Sequence, residues 1–226
     1  MRSKTLKVAV IGAGPSGFYA VRALIKLCKY DCEIDIIDRL PTPYGLVRGG
    51  VAPDHQNIKR IVKSYERLLK DERVRFVGNV QLGKDIEVSE LEQCYNAIIY
   101  ATGNESARKM GIPGEDLDGV HSATEFVFWY NGHPDYTEHV FRLEDAQRVA
   151  VIGNGNVSVD VARILAKNPN ELADPDISEH ALDVLHNSPL KEVLMLGRRG
   201  PAQAAFSLKE VQELSHVNDV DLVVDQ

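Results

Sequence analysis

Two short runs of glycine, each following an apolar stretch and opening a helix-like pattern, constrain this chain more than any other feature. The first is Gly12-Ala13-Gly14-Pro15-Ser16-Gly17, after Lys7–Ile11. The second is Gly153-Asn154-Gly155-Asn156-Val157-Ser158, after Arg148–Ile152. In a strand–turn–helix unit such glycines allow a tight turn, close approach of backbone to a pyrophosphate, and close strand–helix packing. The helix N-terminus then presents unpaired N–H groups and the positive end of its dipole to the anion. Ser158 stands where the third glycine would be, a place that a small residue can fill.

The two units diverge at the end of their second strand. Asp38 ends the strand Glu33–Asp38 about 20 residues after the first turn, where a carboxylate accepts hydrogen bonds from both ribose hydroxyls. After the strand Glu192–Leu196 the chain instead reads Gly197-Arg198-Arg199-Gly200. Two guanidinium groups there suit a ribose 2′-phosphate, which a carboxylate would repel. The first site is therefore expected to take a plain ribose and the second NADP. Two dinucleotide sites with different ribose readers imply electron transfer between two cofactors, and FAD is the expected partner of NADP. Ala101-Thr102-Gly103, ending a buried strand, is consistent with a backbone lying close to a flavin.

Alternating strands and helices argue for parallel α/β architecture. Helical spacing covers Ser16–Lys29, His55–Lys70 with Asp54 as its cap, Asn156–Lys167, Ser178–Leu185 and Ser207–Leu214. Further strands are expected at Val74–Val77, Asn96–Tyr100 and Asp221–Val224, with a long functional loop from Arg39 to Asp54. The Gly-, Pro- and charge-rich stretch from Glu105 to Gly119 suggests a crossover between domains 1–106 and 107–226. The second half stops in mid-pattern, so the chain reads as truncated relative to its natural design.

Composition narrows the function. A net charge of −7 argues against nucleic-acid binding, and no apolar stretch approaches the ~20 residues of a membrane span. The start runs directly into a strand with no room for a leader, which predicts a cytoplasmic setting. Cys28, Cys32 and Cys94 form no C-x-x-C pair and read as buried or half-buried free thiols, and the seven histidines offer no metal-ligand spacing. Redox chemistry would then rest on bound organic cofactors. No residue pattern sets an oligomeric state.

Several longer runs resemble one family. Gly12–Gly17, Pro41-Thr42-Pro43-Tyr44-Gly45-Leu46-Val47-Arg48, Gly50-Val51-Ala52-Pro53-Asp54-His55 and Ile112-Pro113-Gly114-Glu115 are similar to segments of the adrenodoxin-reductase-like ferredoxin–NADP reductases. So are Trp129-Tyr130-Asn131, Gly153–Val157 with Asp160-Val161-Ala162-Arg163, and Gly197-Arg198-Arg199-Gly200-Pro201. The resemblance implies two Rossmann-like doubly wound domains, the NADP domain inserted in the FAD domain and incomplete here. It implies an enzyme passing hydride from NADPH to FAD and single electrons to a ferredoxin-type iron–sulfur protein. It places Gly12, Gly14, Ser16 and Asp38 on FAD with Leu46 and Val80 near it, and Asn154, Gly155, Asn156, Val157, Arg198 and Arg199 on NADP. Gly17 belongs to the first turn. His55 and Glu210 are implied beside the meeting point of nicotinamide and flavin, as the residues tuning catalysis. Trp129 reads as core packing. Two alternatives stand beside this reading: a subunit like the small subunit of glutamate synthase, and a truncated nucleotide-binding module without activity of its own.

Overall fold

The computed structural model describes residues 5–104, 106–173 and 176–224. The chain forms two compact units, Met1–Val51 with Gln56–Glu105, and Ala52–His55 with Ser106–Gln226. The small segment 52–55 is thus grouped with the second unit, although its neighbours in sequence on both sides belong to the first.

The first unit is a parallel sheet with helices on both faces. Its elements are β1 (Leu6–Ile11), α1 (Pro15–Leu27), β2 (Cys32–Ile37), α2 (Leu46–Gly49), α3 (Gln56–Lys59), α4 (Val62–Leu69), β3 (Val74–Val77), α5 (Val88–Cys94) and β4 (Ala97–Tyr100). The strand order is β3-β2-β1-β4, all parallel, with Val10 opposite Ile36 on one side and Ile99 on the other. Strands buried on both faces need apolar residues at consecutive positions, and Val8 to Ile11 supply them. Val8, Val10, Ile34 and Ile36 pack with Phe18, Val21 and Tyr65 of α1 and α4, whereas Ala9, Ile11 and Ile37 pack with Leu91 of α5. The rings of Phe18 and Tyr65 stack at 4.4 Å. Burial of each such side chain is worth about 1.5–3 kcal/mol. Strand order reverses between β1 and β4, and the crevice outside the strand ends at such a reversal is where ligands bind in open α/β sheets.

The second unit contains α6 (Ala123–Tyr130), β5 (Arg148–Ile152), α7 (Asn156–Ala166), α8 (Pro169–Leu172), α9 (Glu179–His186), β6 (Glu192–Leu196) and α10 (Leu208–Leu214). β5 and β6 pair in parallel, Arg148 opposite Glu192 through Ile152 opposite Leu196. Helix α6 starts with a capping box: Ser122 accepts from the Glu125 N–H while the Glu125 carboxylate accepts from the Ser122 N–H. Its Trp129 is core, packed with Phe126, Phe141 and Ile164.

Four expectations are corrected. The helix over His55–Lys70 is broken into α3 and α4, and Asp54 does not cap it, because its carboxylate is taken by Arg163 and Lys167. Residues 221–224 form no strand: among the described residues none pairs with them, and Val223 and Val224 stay exposed. The loop after Arg39 contains α2, which Gly45 opens. Cys94 is an exposed thiol at the end of a helix absent from the sequence reading, while Cys32 is buried and Cys28 half-buried.

Candidate cofactor sites

In the first unit the glycine turn leaves β1 at the strand reversal. Gly12 has φ +107°, and a Cβ there would lie 2.3 Å from the backbone oxygen of Ala101 after β4. A Cβ on Gly17 would lie 2.1 Å from the Gly12 oxygen. The fold itself demands both glycines. Gly14 is different: its φ of −84° suits any residue, and an added Cβ would meet only the Gly45 Cα at 3.9 Å. Nothing in the packing explains a glycine here. Helix α1 begins at this point with Pro15 in its first turn, no side-chain cap and no acidic residue in the first turn. Its leading N–H groups therefore face an open, electropositive end.

The other sequence-expected residues gather at the same end of the sheet. Asp38 Oδ2 accepts from the Ala13 N–H at 2.6 Å and Oδ1 from the Leu40 N–H at 2.9 Å. The carboxylate therefore also fixes the turn, and each oxygen keeps a second lone pair for a hydroxyl. The Val80 N–H donates to the Asp38 carbonyl, which sets Val80 beside it. The Tyr44 N–H donates to the Ala13 carbonyl, so Gly45 and the exposed Leu46 lie next to Gly14. Gly12, Gly14, Ser16, Gly17, Asp38, Leu46 and Val80 thus share one region.

The second unit repeats the device. Gly153 has φ +149°, and its Cβ would meet Ser158 Oγ at 2.4 Å. Gly155 has φ −111° and nothing within 4 Å of an added Cβ. Helix α7 starts there without a side-chain cap and without an acid in its first turn. Two hydrogen bonds do structural work: the main-chain carbonyl of Asn154 accepts from the Ala205 N–H at 2.8 Å, and the side-chain Oδ1 of Asn156 accepts from the Ser207 N–H at 2.8 Å. They tie the start of α7 to the N-cap of α10. Val157 is exposed in the first turn of α7. Arg198 and Arg199 are exposed after β6, with no ion-pair partner among the described residues.

His55 and Glu210, far apart in sequence, are brought together within this unit. His55 Nε2 lies 3.6 Å from Glu210 Oε2, and both side chains are about one-tenth exposed. The sequence reading missed the residues that hold them. The imidazole Nε2 donates to Glu213 Oε2 at 2.6 Å, and Nδ1 lies 3.6 Å from Asp160 Oδ1. Arg163, only 4% exposed, donates twice to Asp54, from Nε at 3.0 Å and Nη2 at 2.9 Å. Its Nη1 lies 2.8 Å from Asp160 and 3.8 Å from Glu210. The signals were present as i,i+3 pairs, Asp160 with Arg163 on α7 and Glu210 with Glu213 on α10, but both pairs read equally well as solvated helix faces.

Charge balance in this cluster rests on Arg163. Burial alone would raise the Asp54 carboxyl, but the hydrogen bonds and charge of Arg163, with Lys167, hold it below the usual carboxylate range. Asp160 is pushed up, because burial outweighs the same guanidinium. Burial also works to raise Glu213, and the His55 hydrogen bond reverses it to a lowered value. Glu210 Oε2, Arg163 Nη1, Asp160 Oδ1 and Tyr130 Oη are buried and complete no hydrogen bond among the described residues. Such atoms are costly unless a ligand or water meets them.

Glycine turns that open uncapped helices in two α/β units, one guarded by a carboxylate and one by paired arginines, define a dinucleotide-binding protein. Residues 6–187 match the family model described as pyridine nucleotide-disulphide oxidoreductase, and the chain belongs to that family. It is 46% identical over 99% of its length to the mitochondrial NADPH:adrenodoxin oxidoreductase of Arabidopsis thaliana, and covers 46% of that protein. It is 49% identical over 96% of its length to NADPH-ferredoxin reductase FprA of Mycobacterium leprae (strain TN), covering 48% of it. A solved structure of Mycobacterium tuberculosis FprA in complex with NADPH superimposes with a TM-score of 0.93 at 46% identity, over 96% of this chain and 49% of that one. The chain spans about half the length of the curated relatives it matches. No helix among the described residues is long and apolar enough to cross a membrane.

Proposed function

We infer that this chain is the FAD- and NADPH-binding part of a reductase that takes hydride from NADPH and delivers electrons to a ferredoxin-type iron–sulfur protein, in a cytoplasmic setting. One observation carries the reading: Gly14 and Gly155 have ordinary backbone angles and open space, at uncapped helix starts, so a bound pyrophosphate accounts for glycine where the fold does not. The residues fit the two groups. Gly12, Gly14, Ser16, Gly17 and Asp38 would hold FAD in residues 1–106, with Leu46 and Val80 beside it. Asn154, Gly155, Asn156, Val157, Arg198 and Arg199 would hold NADP in residues 107–226. Bound there, the cofactors supply hydride exchange and one-electron release. The names of the relatives, an NADPH-ferredoxin reductase and an NADPH:adrenodoxin oxidoreductase, support the same acceptor class.

The protein's own part is to bind, orient and set polarity. Asp38 presents lone pairs to ribose hydroxyls, and Arg198 and Arg199 donate to a 2′-phosphate. The buried Glu210 Oε2, which completes no hydrogen bond among the described residues, is an acceptor suited to the N–H of a carboxamide. His55, whose Nε2–H is held by Glu213, sets the imidazole ring beside that acceptor. Glu213 and Asp160 act through His55 and Arg163 as positioning residues.

The test is rapid mixing of NADPH with the flavin-loaded protein under anaerobic conditions. His55→Ala and Glu210→Ala should each slow flavin bleaching about tenfold or more through loss of alignment, while stoichiometric FAD stays bound. Full rates in both variants would remove the assignment, and a colourless preparation that takes up no FAD would overturn the functional reading.

A further inference from the structure

A second group of chemistry-bearing side chains lies in the second unit, apart from the residues assigned to cofactors. His121 precedes α6, Glu125 stands in its first turn, and His139 comes from the loop after it. Their ligand atoms all lie within 4.8 Å of one another. His121 Nδ1 faces His139 Nε2 at 3.1 Å. Two imidazole nitrogens on one tetrahedral zinc, each about 2.0–2.1 Å from it, sit about 3.3 Å apart. The pair is therefore already close to the spacing that a shared cation imposes.

Two features fix these ligands in place. Both imidazoles pack against the buried Phe141, His121 at 4.5 Å and His139 at 4.7 Å between ring centres. Glu125 Oε2 accepts the Ser122 N–H of the capping box at 2.6 Å, which orients the carboxylate and leaves its other oxygen available. Outer hydrogen bonds of this kind are what hold metal-binding carboxylates in orientation. Charge also distinguishes this group from the other three-donor set, His55, Glu210 and Glu213. There the Arg163 guanidinium lies 3.8 Å from Glu210 and 4.0 Å from Glu213, which opposes a further cation. Among the described residues no lysine or arginine pairs with Glu125.

We propose that His121, Glu125 and His139 form a binding site for a divalent first-row transition cation of the zinc type, with one coordination position open to water, clipping the loop before Phe141 to the start of α6. Two nitrogens and one carboxylate oxygen are a donor set that zinc accepts. The sequence spacing concealed it, because His139 is brought in by the loop rather than by a helical repeat.

Calorimetric titration of Zn2+ into the full chain, in a buffer that does not coordinate metal, tests the site. One strong equivalent is expected, together with a rise in melting temperature. Co2+ should give visible absorption bands of imidazole and carboxylate ligation. In the double variant His121→Gln/His139→Gln the strong equivalent, the bands and the thermal shift should vanish. Glu125→Gln keeps a capping box, which accepts Glu or Gln, so it should fold normally and bind Zn2+ at least about tenfold more weakly, since even an outer-shell loss costs ~10–100-fold. No zinc uptake by the unaltered chain, or undiminished uptake by the folded double variant, overturns the proposal.

Discussion

Arg163→Met is expected to be the most damaging single substitution in the second unit, costing about 3–5 kcal/mol near neutral pH. The guanidinium is nearly sealed from solvent and is the main counter-charge to Asp54, with Asp160, Glu210 and Glu213 within 4.0 Å. Its removal leaves buried carboxylates facing one another. The sign of the pH dependence should invert with it. In the unaltered chain the Asp54 carboxyl is held low, so its contribution is full above the ordinary value of about 3.9 and is lost as pH falls through the lower folded value. In the variant only Lys167 and His55 still oppose burial, the largest influence on Asp54, and burial outweighs them and raises the carboxyl, so stability should increase as pH falls from 7 toward 5. Urea unfolding followed by circular dichroism at both pH values checks this. Arg148→Ala is the control: that side chain pairs with Glu192 but is 68% exposed, and its loss should cost no more than ~1 kcal/mol. A loss of under ~1 kcal/mol for Arg163→Met would refute the account of the cluster.

That cluster also marks where sequence reading stops. The strands Val74–Val77, Arg148–Ile152 and Glu192–Leu196 were legible because their apolar runs end in glycine or polar turns. The two glycine cradles were legible because their chemistry is local: turn, anion site and helix start lie within six residues. His55 and Glu210 entered only by resemblance, and Glu213, Asp160 and the Asp54–Arg163 pair went unread because their meaning depends on tertiary contact. Asp54 shows the mechanism of the error. An Asp before an amphipathic run is a sound helix cap, yet a buried bidentate arginine competes for the carboxylate and wins. Residues 221–224 failed for a related reason, since β-propensity makes a strand only where a neighbour offers a ladder.

The second large effect separates glycines that the fold requires from glycines that a ligand requires. Gly12→Ala forces a side chain into positive φ and onto the Ala101 carbonyl. Strained φ and overpacking each cost about 1–3 kcal/mol, so the first unit should lose ~2–6 kcal/mol and with it any flavin. Gly14→Ala meets neither problem, and apo stability should change by no more than ~1 kcal/mol. Its FAD affinity should nevertheless fall at least about tenfold, because the new methyl occupies space the pyrophosphate needs. Unfolding curves of the apo variants beside FAD titrations read both numbers. Equal behaviour of the two alanines, in stability and in FAD affinity alike, would contradict this division of roles.

In the proposed function the two units read ribose oppositely, by a carboxylate at Asp38 and by guanidiniums at Arg198 and Arg199. Parallel titrations of NADPH and NADH into the flavin-loaded chain and its Arg198→Ala/Arg199→Ala variant test it most directly. Charge-assisted hydrogen bonds are worth about 1.5–3 kcal/mol each, so NADPH should bind the unaltered chain far more tightly than NADH. The variant should lose ~100-fold or more for NADPH and almost nothing for NADH. Equal affinity for the two nucleotides, unmoved by the substitutions, would contradict the account.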